Sequence, residues 1–504
     1  MTTAESTAQA APPGGPRPDT LATYSVILAM TTLVHRAVIP NWIAALKVPT
    51  GWLTVVAAIW LLFRPGSTRA FAFFVLVAIA EWMRLLPFMP NHFFFEGLMY
   101  ATVLCALIVR WRRDRAAAGA IDRERLFADF VPIVRAELLV LYAFTVLHKL
   151  NWSFLDPQVS CAVKMHEELA QLLPVLPAGP AMHWPVIAAT LGFEAGIPLL
   201  LAFRRTVYWG IVAGLFFHAL LAIHPHAGVS SFSAMLYGLF FLFLPASAVH
   251  AVQAFWQRSL AAWRRVLPSI SPKAVVIVAF VLTLLAQVWL SIAGLWYRTL
   301  VHEVTRIAFW PGAAWCLWLA IAYLRAMRSA PLAGARGSTL SFTRHPGWMV
   351  MALLLFNGFC PYLGLKTVTV FSMFSNLRTE SEPNHLFMPQ LHLTRLQLDQ
   401  VEITSSSHEG TRSECESIAG GLWCSFPGER LPYFELRRWT SNMRDFDGER
   451  LRVSFVRAGR RHELAPDGDR ALTAELYTPL PWLLGKLTAL RLVQEPSGPT
   501  ACRW

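Results

Sequence analysis

Charge is what this sequence has least of: Asp, Glu, Lys and Arg together make up 15% of its 504 residues, against 55% hydrophobic residues. A water-soluble fold needs more polar surface than that, so the composition excludes an ordinary soluble globular chain and points to a membrane protein. Metal-binding spacing is missing too. None of the seven cysteines stands in a CxxC or a Cys/His zinc pattern, and no metal site is expected. There is no G-x-S-x-G elbow and no P-loop, and HEELA at 166–170 lacks the second histidine of HExxH. Serine hydrolase, nucleotide hydrolase and zincin chemistry therefore fall away. Residues 1–21 are polar and Pro-rich with no apolar run, so a disordered N-terminal tail is expected there rather than a cleavable signal peptide.

What is there is a succession of apolar runs. About eleven of them approach the roughly 20 residues that a bilayer-spanning helix needs. They are 22–45, 50–63, 70–86, 94–110, 130–150, 184–203, 207–223, 231–252, 274–296, 306–325 and 348–363. The net charge of +13 resides largely in the loops between them. Basic loops at 64–69, 110–129, 204–205, 255–273 and 326–347 alternate with loops at 87–93, 151–183 and 224–230 that are poor in Arg. That alternation places the N-terminus in the cytoplasm and the tail outside, with membrane lipids rather than nucleic acid as surroundings.

Beyond residue 366 the sequence turns polar, with period-two stretches at 391–403 (LHLTRLQLDQVEI) and 449–459 (ERLRVSFVRAG). The expected fold is thus a polytopic α-helical membrane bundle over 22–366 and a small β-rich extracytoplasmic domain over 367–504. Its apolar stretch at 478–493 carries Lys and Arg, which suits a surface or membrane-lying helix. Cys415 and Cys424 fall in this domain and can pair in an oxidising compartment, whereas Cys105, Cys161, Cys316 and Cys360 lie in or beside membrane segments.

Ionisable side chains inside a bilayer each need a partner or a task. The run YAFTVLHKLNWSFLDP places His148, Lys149 and Trp152 where an apolar helix meets a polar loop. A Lys shielded from water can act as a base; it can equally be an interfacial Lys reaching the headgroups. FFHALLAIHPHAGVSS brings His218, His224 and His226 close in sequence, an arrangement that suits metal binding or proton relay but also occurs in ordinary loops, and His218, inside an apolar run, can equally serve a helix-to-helix hydrogen bond. PFMPNHFFFEGLM sets Asn91 and His92 at the same expected face as Lys149. Glu81 and Arg84, one turn apart, read as an intrahelical ion pair. Glu194 has no partner nearby in sequence and reads as structural.

Taken in order, NHFFFEGLM, YAFTVLHKLNWSFLDP, GFEAGIPLLLAFRR and FFHALLAIHPHAGVSSFSAML resemble the HTTM membrane domain. That domain is the core of the vitamin K-dependent gamma-glutamyl carboxylases and of bacterial relatives. VFSMFSNLRTESEPNHLF at 370–387 is similar to the segment that follows the last span in that group. The resemblance implies a bacterial inner-membrane enzyme with an active site facing the periplasm. It implies Lys149 as the base for a reduced vitamin K or menaquinone-type quinone, with His92 and His218 as the other catalytic residues. His148, His224, His226 and Trp152 are the candidate cofactor-binding residues, O2 and CO2 the co-substrates, and a peptide or protein the substrate on the outer side. The sequence departs from the family at His148, where a second Lys is usual, and in its smaller polar part. Two other readings stand beside this one: a non-enzymatic quinone or lipid binder or transporter, and an accessory protein whose tail engages a partner.

Overall fold

Backbone N–H and C=O groups in lipid have to bond within their own segment, which makes a helix of any long apolar run. In the computed structural model of the chain, the described residues are 19–38, 49–117, 119–224, 227–292, 300–332, 336–342, 344–406, 428, 430–443, 452–465, 468–493 and 497–502. The expected N-terminal tail up to residue 18, His226, and both Cys415 and Cys424 lie outside them.

The helices run α1 (Thr20–Val38), α2 (Pro49–Phe63), α3 (Thr68–Leu85), α4 (Asn91–Ala116), α5 (Arg123–Lys149), α6 (Trp152–Leu155), α7 (Cys161–Leu172), α8 (Pro180–Ala202), α9 (Val207–Ala222), α10 (Ala227–Phe240), α11 (Ala246–Val266), α12 (Pro272–Ile292), α13 (Leu300–Ser329) and α14 (Trp348–Phe359). Among the described residues, α4, α5 and α8 are long and apolar enough to cross a membrane, and shorter apolar stretches occupy α2, α9, α10, α12 and α14. Large apolar side chains such as Trp60, Leu199, Trp209, Leu285, Leu317 and Phe356 face outward. The span expected over 231–252 is interrupted. After α10 comes a single 3-10 turn, Phe241–Phe243, and Pro245, which lacks an N–H, then caps α11.

Local chemistry sets the ends. The Ser67 side chain accepts from Ala70 N at the start of α3, and Asp122 from Arg125 N at the start of α5. In their apolar windows α4 and α5 are 61% buried and α8 only 17%, so α4 and α5 are central and α8 peripheral. Helix α5 packs against α4, α8 and α14, and α1 packs against α2 and α10. Glu81 of α3 does not pair within its helix. It takes two hydrogen bonds from Arg36 of α1, at 2.8 and 2.5 Å, and one from Thr54 Oγ1 of α2. A carboxylate buried among three helices gains more from a guanidinium fork on the facing helix than from a neighbour directed along its own surface.

The tail holds one antiparallel sheet, β1 (Gln400–Ser406), β2 (Arg430–Pro432), β3 (Val453–Arg457) and β4 (Arg460–Leu464), in the order β2-β1-β3-β4. The β3–β4 hairpin turns on Ala458 (φ 49°) and Gly459 (φ 75°), the pair of positive φ values that a tight two-residue turn requires. Helices α15 (Tyr433–Met443), α16 (Arg470–Tyr477) and α17 (Trp482–Leu487) accompany the sheet, so the tail mixes helix and strand. Residues 391–399, expected as strand from their alternation, form no strand. Leu391 N and Leu393 N donate to the carbonyls of Tyr362 and Leu363 after α14, which removes them from any ladder. A disulfide joins Cys161, at the first turn of α7, to Cys502 near the chain end, a pairing the sequence reading did not anticipate.

Candidate functional site

The last two turns of α5 carry Tyr142, Thr145 and Lys149 at helical spacing that puts Tyr142 and Lys149 on one face. Lys149 is 4% exposed. Its Nζ stands 2.9 Å from Glu194 Oε2 of α8, off the hydrogen-bonding direction, and donates to the carbonyls of Thr145 at 3.4 Å and Met373 at 3.3 Å. Glu194 is therefore an ion-pair partner of the candidate base, where the sequence reading left it as a structural residue. The chemistry follows from the contact. A carboxylate on the facing helix holds the Lys149 side chain in place, and the amine acts as a base only when it is free of its proton.

The turn after α5 is fixed by asparagines. Asn151 Nδ2 donates to His148 O (2.8 Å) and Ser375 O (2.6 Å), while its Oδ1 accepts from Phe154 N (2.9 Å) and caps α6. Asn384 Nδ2 donates to Ser153 Oγ and Asn376 O, and Asn384 Oδ1 accepts from Arg378 N. Segment 369–376 thereby lies over Lys149. Thr369, Phe371, Phe374 and Asn376 all have positive φ (58°, 66°, 48° and 54°). For non-glycine residues, and most for β-branched Thr369, this conformation costs energy that surrounding contacts have to offset. Those contacts include Asn357 Nδ2 to Thr369 O, Phe371 N to Asn91 Oδ1, and Asn376 Nδ2 to Val159 O and Thr500 O. Asn91 and Lys149 thus meet through residues 371–373.

His92, in the first turn of α4, is buried and shares a 2.9 Å hydrogen bond between Nε2 and Ser231 Oγ of α10. His218 of α9 is buried with Nε2 2.7 Å from the Tyr142 hydroxyl, and Tyr142 lies within electrostatic reach of Glu194. Phe232 stands between the two histidines, its centroid 5.9 Å from the His92 ring and 5.4 Å from the His218 ring. The three candidate catalytic residues therefore belong to one connected region, through Glu194, Tyr142 and Phe232, without bonding to one another.

The candidate cofactor-binding residues are dispersed. His148 turns to the other side of α5, where Nε2 meets Gly358 O at 3.1 Å and the ring lies against Phe144 and Tyr362. His224 is 3.4 Å from Glu168 of α7, and burial pushes its imidazole below the ordinary value. Trp152 is 68% exposed and engages through its backbone N–H, to Asn384 O. Among the described residues no group of His, Cys, Asp and Glu is arranged to hold a metal ion.

Two groups escaped the sequence reading. Lys366 is buried with Nζ 4.4 Å from the Phe94 ring centroid and donates to Thr369 Oγ1; burial pushes its pKa down to about 8. His35 of α1 sits beside Glu96 of α4, four residues after His92 on the same helix. The EGLM that follows NHFFF was the only available sign of the second. No family model matches the chain, and neither a curated protein nor a solved structure matches it.

Proposed function

We propose that the helical region is a polytopic bundle of about eleven membrane segments with a cytoplasmic N-terminus and its tail on the opposite, periplasmic side. We propose further that the chain is an enzyme similar to the vitamin K-dependent gamma-glutamyl carboxylases. It couples oxygenation of a reduced quinone to carboxylation of a glutamyl or other substrate. The observation that carries this reading is the environment of Lys149: an amine withdrawn from water, paired with one carboxylate and closed over by a strained segment.

A bound hydroquinone supplies the reducing equivalents that turn oxygen into a base able to remove a carbon-bound proton. The residues here suit such a lipid-soluble ring. Lys149 and Glu194 lie side by side and are largely withdrawn from solvent, and His218 and His92 present imidazoles beside the Phe232 ring. Segment 369–376 holds the Lys149 amine from the tail side, where a peptide substrate would approach. Labelled bicarbonate offered with a glutamyl peptide and reduced menaquinone tests the carboxylation step. Incorporation that disappears in Lys149→Ala supports it. Oxygen uptake without incorporation reduces the assignment to quinol oxygenation.

A further inference from the structure

Two stretches of the tail expose apolar side chains among the described residues. The first is 387–393, where the alternating leucines form no strand. Leu391 and Leu393 are 60% and 66% exposed, whereas a strand would turn such a pair into the core, and Phe387 is exposed as well. The second is α17 with the turn before it, TPLPWLLGKL at 478–487, in which Trp482, Leu483, Leu484 and Leu487 are exposed. Clusters of this kind mark a surface that meets a membrane or another protein.

Where the two stretches are tied down decides between those partners. Leu391 N donates to Tyr362 O (2.8 Å) and Leu393 N to Leu363 O (2.9 Å), just past α14. Lys486 Nζ donates to Arg84 O (2.8 Å) and Leu86 O (2.9 Å), at the C-terminal end of α3. Arg438 of α15 holds α17 in turn, donating to Gly485 O and Thr488 O. These helix ends share the face that carries Lys149. Asn91, which opens α4 after α3, and Lys149 both bond to residues 371–373, and Asn357 of α14 bonds to Thr369 O. Outward-facing side chains lead to the same ends, Leu76 and Met83 along α3 and Met349, Leu353 and Phe356 along α14. The exposed tail residues therefore continue the surface that lipid covers on a membrane bundle. Charge agrees: residues 386–394 and 478–487 hold no Asp or Glu, and their one lysine, Lys486, is engaged by α3.

We propose that residues 387–393 and α17 form a two-part collar that sinks Leu391, Leu393, Trp482 and Leu483 into the lipid leaflet on the Lys149 side, at the boundary of headgroups and acyl chains. The collar rests on the membrane-bundle reading given above and extends it to the tail, which then lies on the bilayer instead of projecting from it. An indole flanked by leucines suits that boundary, where an apolar ring and a polar N–H are both satisfied. Each part adjoins a grip on the surroundings of Lys149. Just before 387, His385 bonds through Nε2 to Leu147 O of α5 at 2.8 Å. Just after α17, Arg491 N donates to Thr367 Oγ1 at 2.7 Å and its guanidinium to Ser372 Oγ. Lipid contact thereby sets the position of the segments that close over Lys149.

The test is photo-crosslinking of the full chain in phosphatidylcholine nanodiscs, with p-benzoylphenylalanine replacing one residue at a time and lipid adducts read by mass spectrometry. Leu393 and Leu483 probe the collar, Leu353 probes α14 within the bundle, and Arg460 is an exposed tail position outside the collar. Lipid adducts are expected at Leu393, Leu483 and Leu353, with none above background at Arg460. Adducts at Leu353 that are missing at Leu393 or Leu483 overturn the collar and leave the membrane bundle standing. Adducts to a second copy of the chain at Leu393 and Leu483 overturn it in favour of a dimer interface. Labelling at Arg460 equal to that of the collar sites also overturns it, since any exposed tail residue would then do. Absence of lipid adducts at Leu353 removes the bundle reading itself, and the collar with it.

Discussion

Lys149 on α5 and Glu194 on α8 stand 2.9 Å apart, both largely withdrawn from solvent, and theirs is the ion pair that joins these two helices next to the turn carrying the candidate base. Removing one member leaves a buried charge without its counter-charge. Glu194→Leu is expected to destabilise the protein by about 3–5 kcal/mol, and Lys149→Met/Glu194→Leu together by much less than the sum of the single changes. Thermal unfolding of the four proteins in detergent checks this; additive losses would show that the two groups do not interact.

The Cys161–Cys502 bond closes a loop of large sequence separation, 341 residues. Cys502→Ser is expected to cost about 2–5 kcal/mol and to loosen the contacts of Thr500 with Ser153 and Asn376. Thiol labelling of the unreduced, denatured protein followed by peptide mapping should find Cys161 and Cys502 unlabelled and Cys105, Cys316 and Cys360 labelled.

Asn384 is buried and bonds four groups: Asn151 Oδ1, Ser153 Oγ, Asn376 O and Arg378 N. Asn384→Ala leaves several of these polar groups without partners and should cost on the order of 2–4 kcal/mol. Because Asn151 fixes the turn after Lys149, the variant should also lose activity that the wild type retains at the same temperature. Unchanged stability and turnover would show that this network does not hold the turn.

Lys366 gives a pH dependence with a definite sign. Its folded pKa of about 8 lies below the ordinary value of 10.5, so between those values the unfolded chain binds the extra proton. Stability from this group therefore rises as pH increases from about 8 to about 10.5, and below about 8 burial of the charge opposes folding. At pH 7 Lys366→Met should be more stable than wild type by up to about 3 kcal/mol, less whatever the Phe94 and Thr369 contacts supply. The gap should narrow by pH 10. A gap independent of pH would contradict the assignment.

The helices were legible in the sequence because length and apolarity alone dictate them, and α4, α5 and α8 each fall on an expected apolar run. The turn at Lys149 was legible as a motif. Its surroundings were not, because Glu194, Met373 and Tyr142 reach it through packing that no local spacing encodes. The same holds for Glu81, which had a neighbour of the right charge in Arg84 and bonds instead to Arg36 across a helix contact. Residues 391–399 alternate like a strand, yet their N–H groups go to Tyr362 and Leu363, so the pattern was present and the ladder partner was not. Cys415 and Cys424 lie close together in the polar sequence, whereas the approach of Cys161 to Cys502 depends on the tail returning to the loop that follows α5, which no local spacing encodes.

Oxygen consumption by the purified protein supplied with reduced menaquinone, in wild type and Lys149→Ala, tests the central claim most directly. The account predicts uptake that requires the reduced quinone and falls by at least about a hundredfold, the lower range for loss of a general base, in the variant. No uptake with any reduced quinone, or uptake unchanged by Lys149→Ala, would contradict it and favour a binding or transport role for the same buried pair.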